Sequence, residues 1–253
     1  MFEQLKARLE QGYRTSDFPK TAPALSPRYR GLPVIDMSRC QPGCKECVDS
    51  CPTEAITYDD QKVTLDLGRC IFCGNCEKAC PQGAIKLTQE FAMSARQRSD
   101  LVIDSTGLKL AEALDKKSRS LFGHSLKLRQ VSAGGCNGCE VEINVLSTIV
   151  FDMSRFGIQI VASPRHADGL LVTGPITKNM EFALRETYAA MPEPKIVVAV
   201  GSCAISGGPF RDSPEVKNGI ASVIPVDLFI PGSPPHPYTI LEGLLRLLGR
   251  IGG

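Results

Sequence analysis

The sequence predicts an α/β protein in which a domain with a mostly parallel sheet follows a small cysteine-dense α+β unit. Two observations carry the prediction. From Leu126 the chain becomes a series of short apolar runs, Leu126 to Val131, Ile158 to Val161, Leu170 to Thr173, Ile196 to Val200 and Val226 to Ile230, separated by helical patterns near residues 139–152, 178–190 and 238–249. Strands that alternate with helices in this way build βαβ units around a parallel sheet. Upstream, two runs between Cys40 and Pro81 hold eight of the eleven cysteines, and a chain of 253 residues has room for such a unit beside one larger domain.

The second run, Cys70-Ile-Phe-Cys73-Gly-Asn-Cys76-Glu-Lys-Ala-Cys80-Pro81, has the C-x2-C-x2-C-x3-C-P spacing in which the fourth cysteine of each run ligates the cluster of the other. The expected ligands are therefore Cys40, Cys44, Cys47 and Cys80 for one 4Fe-4S cluster, and Cys70, Cys73, Cys76 and Cys51 for its twin. Ala55-Ile56 follows the first Cys-Pro as Ala84-Ile85 follows the second. The first run departs from the pattern, with Gln41-Pro42-Gly43 between Cys40 and Cys44 forming a wider turn. Zinc is the bland alternative, but zinc sites take paired ligands, whereas each run here has four cysteines and ends in proline.

A net charge of +2 excludes both a nucleic-acid-sized basic excess and an acidic tail. Eleven cysteines without a secretory start point to metal ligation in a reducing compartment. No apolar run reaches the roughly 18 to 20 residues of a membrane span, and the N-terminus lacks a signal peptide's apolar core and a twin-arginine motif. The expectation is a cytoplasmic protein.

Four segments are expected in order. Residues 1–33 hold a short amphipathic helix with Phe2, Leu5 and Leu9 on one stripe, open to a membrane surface or a partner subunit, then an arm with Pro19, Pro23, Pro27 and Pro33. Residues 34–90 are the two-cluster unit. Residues 91–121 are a basic helical connector, with a helical stretch around Leu110, Ala113, Leu114 and Leu121; residues 91–130 carry eight Lys or Arg against four Asp or Glu. That stretch reads either as a solvated helix or as a strap on an acidic partner. Residues 122–253 are the α/β domain, whose terminal leucines Leu241, Leu244, Leu245, Leu247 and Leu248 either complete the core or dock on a partner.

Ligands of parallel sheets bind beyond the carboxyl ends of the strands, and three loops there carry glycine before cysteine or serine: Gly135-Cys136-Asn137-Gly138-Cys139-Glu140, Gly201-Ser202-Cys203 and Pro231-Gly232-Ser233-Pro234-Pro235. Cys136, Cys139 and Cys203 read as three ligands of a third cluster, against the alternative of unrelated buried thiols. Glycine lets backbone approach a cofactor closely.

With those loops in view, residues 122–249 resemble the small subunit of group 4 NiFe hydrogenases of the energy-converting and formate-hydrogenlyase type, which is similar to the cluster-bearing 20 kDa-type subunit of respiratory complex I. The carrying residues are Cys136-Asn-Gly-Cys139-Glu140, Ser163 to Asp168, Val172 to Pro175, Gly201-Ser-Cys203 and Ile230 to Pro235. Residues 34–88 resemble the two-cluster ferredoxin subunit of the same complexes. Complex I relatives carry tandem cysteines at the first position, so C-x2-C followed by Glu140 favours the hydrogenase branch. The family carries cysteine where this chain has Ser233.

The resemblance implies a flavodoxin-like C-terminal domain and an electron-transfer subunit with no complete active site, sitting in a membrane-associated complex at the cytoplasmic face. Its cofactors are three iron–sulfur clusters, two 4Fe-4S in the ferredoxin unit and a third that is 4Fe-4S, or 3Fe-4S because of Ser233. Ser233 ligates as a hard alkoxide, or an outside ligand, water or His236 takes its place. Glu140 reads as a proton carrier or as ordinary helix-start chemistry, and Arg165 and His166 as tuning groups or structural ones. The implied partners are a large catalytic subunit, membrane subunits and a soluble electron donor or acceptor, with no nucleic acid. Two rivals remain: a nickel-free complex I-like module, and a stand-alone electron carrier, which has no need of the arm or the second domain.

Overall fold

The structure is a computed structural model that describes residues 2–59 and 62–251. Met1, Asp60, Gln61, Gly252 and Gly253, which fall within the first, second and fourth expected segments, lie outside the described residues.

The chain opens with helix α1 (Phe2–Gln11), none of whose residues is buried. The arm that follows anchors by Phe18, which is buried against Phe91 and Tyr238. The ferredoxin unit comprises β1 (Pro33–Ile35), α2 (Glu46–Asp49), the pair β2 (Ile56–Asp59) and β3 (Lys62–Asp66), α3 (Asn75–Ala79) and β4 (Ile85–Leu87). Strand β1 pairs antiparallel with β4, bringing Ile35 opposite Ile85, and β2 pairs antiparallel with β3.

Residues 91–121 are more strand and coil than helix. After Ala95 bridges Phe229, β5 (Val102–Ile103) adds a third strand to the β2–β3 sheet beside Leu65 and Asp66. Residues 108–115, expected as helix, run irregularly. Ala111 N–H donates to Ser94 and Leu114 N–H to Leu247, which commits their amides to tertiary partners. Helix α4 (Lys116–Phe122) starts only where the Asp115 carboxylate accepts the amides of Lys117 and Ser118.

The α/β domain then alternates as its sequence pattern predicts: β6 (Leu126–Ser132), α5 (Gly138–Val145), β7 (Ile158–Ile160), β8 (Gly169–Thr173), α6 (Lys178–Ala189), β9 (Ile196–Val200), α7 (Ser202–Ser206), β10 (Leu228–Ile230) and α8 (Pro237–Leu247). Helix α5 ends well short of residue 152. All pairings in this sheet are parallel, in the order β10-β9-β8-β6-β7. This is a doubly wound order with its switch point between β6 and β8, where a crevice opens at the strands' carboxyl ends.

Period-two alternation divides the core. Leu171, Ile196, Val198, Val200 and Ile230 face α8, every residue of which is buried, so the terminal leucines complete the core. Leu170, Val172, Val197, Ala199 and Phe229 face the other way. They share one apolar cluster with Ile35, Ile56, Leu65, Ile85 and Ile103 of the ferredoxin unit. At the seam Ser206 Oγ donates to the Gly68 carbonyl at 2.8 Å, and Arg211 pairs with Glu54.

Candidate iron–sulfur sites

The two cysteine runs together close around two cavities. One is lined by Cys40, Cys44, Cys47 and Cys80; the other by Cys51, Cys70, Cys73 and Cys76. These are the two crossed sets that the spacing predicts. Their pseudo-symmetry shows in two matching hydrogen bonds: Ala55 N–H donates to Cys51 Sγ at 3.2 Å, and Ala84 N–H to Cys80 Sγ at 3.1 Å. Phe72 N–H adds a third, to Cys70 Sγ at 3.3 Å. Such bonds orient thiolates and stabilise their charge.

The donor chemistry fits clusters. Burial drives the thiol of Cys70 up to about 12 and that of Cys76 up to about 11, so these thiols stay protonated unless iron charge stands against them. At Cys80 burial also disfavours the thiolate, but the amides of Ala84, Ile85, Gln82 and Gly83 together outweigh it and lower its pKa. Among the described residues no three His, Cys, Asp or Glu side chains gather closely enough for one metal ion. Four thiols around each cavity, drawn from two runs of which the second has the C-x2-C-x2-C-x3-C-P spacing, suit a cluster better than a single zinc.

The third group forms at the switch point. Asn137, left-handed at φ 70, turns the chain from β6 into α5, so that Cys136 is exposed and Cys139 half-buried in the first turn. Gly201 precedes α7 and Cys203. Ser202 N–H donates to the Gly232 carbonyl at 2.8 Å, tying the Cys203 loop to the Ser233 loop. A Cβ placed on Gly138 would lie 3.6 Å from Cys136 Sγ and 3.7 Å from Pro234, which sets the Ser233 loop beside Cys136. The thiols also sense one another. Burial pushes Cys139 to about 12, with Cys203, Glu140 and Cys136 adding, and raises Cys203, with Cys136 adding.

Glu140 is buried and its Oε1 accepts hydroxyl hydrogens from Ser132 and Thr173, each at 2.6 Å. Burial disfavours its charge, yet these two bonds outweigh it and hold the carboxyl below its usual value. It thereby clamps the ends of β6 and β8 across the crevice. His236 caps α8: its Nδ1 accepts the Tyr238 N–H at 3.1 Å, which puts the proton of the neutral ring on Nε2. Its ring stacks on Tyr238, edge-on to Tyr29, and burial lowers its pKa. Arg165 and His166 stand exposed on the loop after edge strand β7. Sequence reasoning missed Arg30, whose guanidinium donates to the carbonyls of Phe72 and Cys73. No signal in the arm ties it to a loop so far along the chain.

Two four-thiol cages beside a doubly wound domain with three more thiols at its switch point define an iron–sulfur protein. The chain belongs to the family described as NADH ubiquinone oxidoreductase, 20 kDa subunit, which matches residues 136–247, and residues 39–84 match a 4Fe-4S dicluster domain. It is similar to a probable membrane-bound hydrogenase subunit of Pyrococcus furiosus, 43% identical over 130 residues that cover 51% of this chain and 78% of that one. Formate hydrogenlyase subunit 7 of Escherichia coli is 40% identical over 58% of this chain and 61% of its own length. An NADH-quinone oxidoreductase subunit of Bacteroides thetaiotaomicron is 46% identical over 45% of this chain and 58% of its own. A solved chain of an archaeal membrane-bound sulfane sulfur reductase aligns over 54% of this chain and 75% of its own, with 33% identity and a TM-score of 0.47.

Proposed function

We propose that this chain is the electron-transfer subunit of a membrane-associated, group 4 NiFe-hydrogenase-like complex, working beside a large catalytic subunit and membrane subunits at the cytoplasmic face. The observation that carries the reading is the convergence of Cys136, Cys139 and Cys203 on the crevice of the same chain that carries two complete cysteine cages. In this reading residues 1–33 are an amphipathic helix and an arm, 34–90 the ferredoxin unit, 91–121 the connector and 122–253 the small-subunit-like domain.

Bound clusters would supply one-electron transfer. The residues do the rest. Cys40, Cys44, Cys47 and Cys80 hold one 4Fe-4S group, and Cys51, Cys70, Cys73 and Cys76 the second. Cys136, Cys139 and Cys203 hold the third, with Ser233 at its fourth corner. Ile35, Val63 and Ile85 line the first cavity, and Ile56 and Leu65 the second, keeping water from the thiolates. The glycines at 138, 201 and 208 leave the third set the space it needs. Glu140 serves as the site's proton-exchanging group through its second oxygen, the first being taken by hydroxyls.

The C-x2-C form of Cys136 to Cys139 favours this reading over a nickel-free complex I-like module, which the likeness to the NADH-quinone oxidoreductase subunit supports. Metal analysis of the complex that co-purifies with this chain under anaerobic conditions tests it. Nickel, with about twelve irons per copy of this chain for three cubanes plus any the partner adds, is expected; a complex with a full iron complement and no nickel overturns the hydrogenase assignment.

A further inference from the structure

Arg30 leaves the proline-rich arm and reaches the second cage. Its Nη1 donates to the Cys73 carbonyl at 2.8 Å and to the Phe72 carbonyl at 3.3 Å. That loop needs holding, because Phe72 at φ 55 and Gly74 at φ 80 both lie in the left-handed region around Cys73. Phe72 carries a steric cost there that glycine does not.

Arg30 also borders an open cleft of about 320 Å³ together with Arg28, Tyr29, Cys73, Ser233 and His236. The cleft therefore separates a cysteine of the second cage from the Ser233 loop of the third site. No carboxylate lines it. Among the described residues neither Arg28 nor Arg30 forms an ion pair. Burial disfavours the charged form of the His236 ring, and the permanent positive charges that line this gap are the two arginines.

We propose that Arg30 is a positioning residue for electron transfer: it fixes the Phe72–Gly74 loop and sets an uncompensated positive charge between the second cage and the third site, making the group held by Cys51, Cys70, Cys73 and Cys76 easier to reduce. The inference rests on the cluster reading above. Adding one electron makes a cluster one unit more negative, and a nearby cation stabilises that state more than the oxidised one. No bond or proton is exchanged. Because Arg30 is exposed, its effect is screened by salt.

The test is an EPR-monitored redox titration of the full chain in its anaerobically purified complex. Arg30→Gln is expected to shift the reduced-to-oxidised ratio of the second cage at least threefold toward oxidised at a fixed poise, a fall of about 28 mV at 59 mV per tenfold change. The first cage keeps its potential. Arg30→Lys, which retains the charge, loses less than half as much, and Arg28→Gln, whose side chain makes no hydrogen bond to a cage loop among the described residues, moves the couple less than Arg30→Gln. An unmoved couple in Arg30→Gln, an equal shift of both cages, or an Arg30→Lys or Arg28→Gln shift as large as that of Arg30→Gln overturns the proposal. If Arg30→Gln does not retain its second cluster, the wild-type protein decides: its second couple is expected to fall as potassium chloride is raised, and a salt-independent couple overturns the proposal. Absence of cluster iron and EPR signals from the wild-type chain would instead sink the cluster reading itself.

Discussion

The backbone of Gly201 lies against the sulfur of Cys139, so closely that a Cβ at Gly201 would meet Sγ at 2.5 Å, and its φ of +89° already excludes most side chains. The third thiol group exists because three loops give up their side chains to make room. Gly201→Ala is therefore expected to lose the iron of the third site, about four per chain for a cubane, while both ferredoxin-type EPR signals persist. Gly208→Ala, whose Cβ would stand 2.8 Å from Cys203 Sγ, should do the same. Full iron in both variants would mean that the three thiols do not share a ligand.

The crossed arrangement of the cages gives a sharper test than iron counts. Cys80→Ser changes the cavity shared with Cys40, although Cys80 lies in the second run, and Cys51→Ser changes the cavity shared with Cys70. Each variant is expected to abolish or shift one reduced-state EPR signal, and a different one. If Cys80→Ser altered the same signal as Cys73→Ser, the pairing would be wrong.

In the proposed reading Ser233 stands at the fourth corner of the third site. A thiolate is softer and less basic than an alkoxide, so Ser233→Cys should raise the third couple, changing the reduced-to-oxidised ratio about tenfold, or about 59 mV. Ser233→Ala should release iron from that corner on exposure to air. Identical titrations for Ser233→Ala and the wild type would remove serine from the ligand set.

Glu242 sets a pH dependence in α8. It is 2% exposed, Arg246 Nε donates to its Oε1 at 2.6 Å, and its Oε2 has no partner among the described residues. Burial raises its carboxyl pKa, with Arg246 opposing and Glu90 adding to the rise. The folded state thus holds the proton more tightly than the unfolded chain. This stability is fully present below the ordinary carboxyl value of 4.5 and is lost as pH rises through the raised folded value. Relative to Glu242→Gln, the wild type should lose Tm as pH rises above 4.5, at roughly 2–4 °C per kcal/mol for a chain of this size. A constant difference across that range would show that Glu242 titrates as if unfolded.

Much of this architecture is legible in the residues. The strands stand out because Leu170 to Thr173 and Ile196 to Val200 are buried on both faces and so read as unbroken apolar runs. The cysteine pairs are legible because cluster geometry imposes local spacing. The third group is less so, since its members come from separate loops and only their glycines and the family resemblance join them. The connector misleads for a physical reason: Leu110, Ala113 and Leu114 carry a helical apolar pattern, but the amides of Ala111 and Leu114 serve Ser94 and Leu247, partners that lie distant in sequence. Strand β5 has two residues and no pattern of its own; Leu65 and Asp66 define it by pairing. The reach of Arg30 to Cys73 is likewise a fact of tertiary folding.

One apolar cluster runs without a break from Ile35 of the ferredoxin unit to Phe229 of the parallel sheet, and β5 and Ala95 sew the two halves together along it. Electrons moving between the halves therefore cross a solid seam instead of waiting for two bodies to meet. Tunnelling through such a joint has no diffusive step, so the internal transfer rate should be indifferent to solvent viscosity, and glycerol or sucrose would slow only the exchange with outside partners.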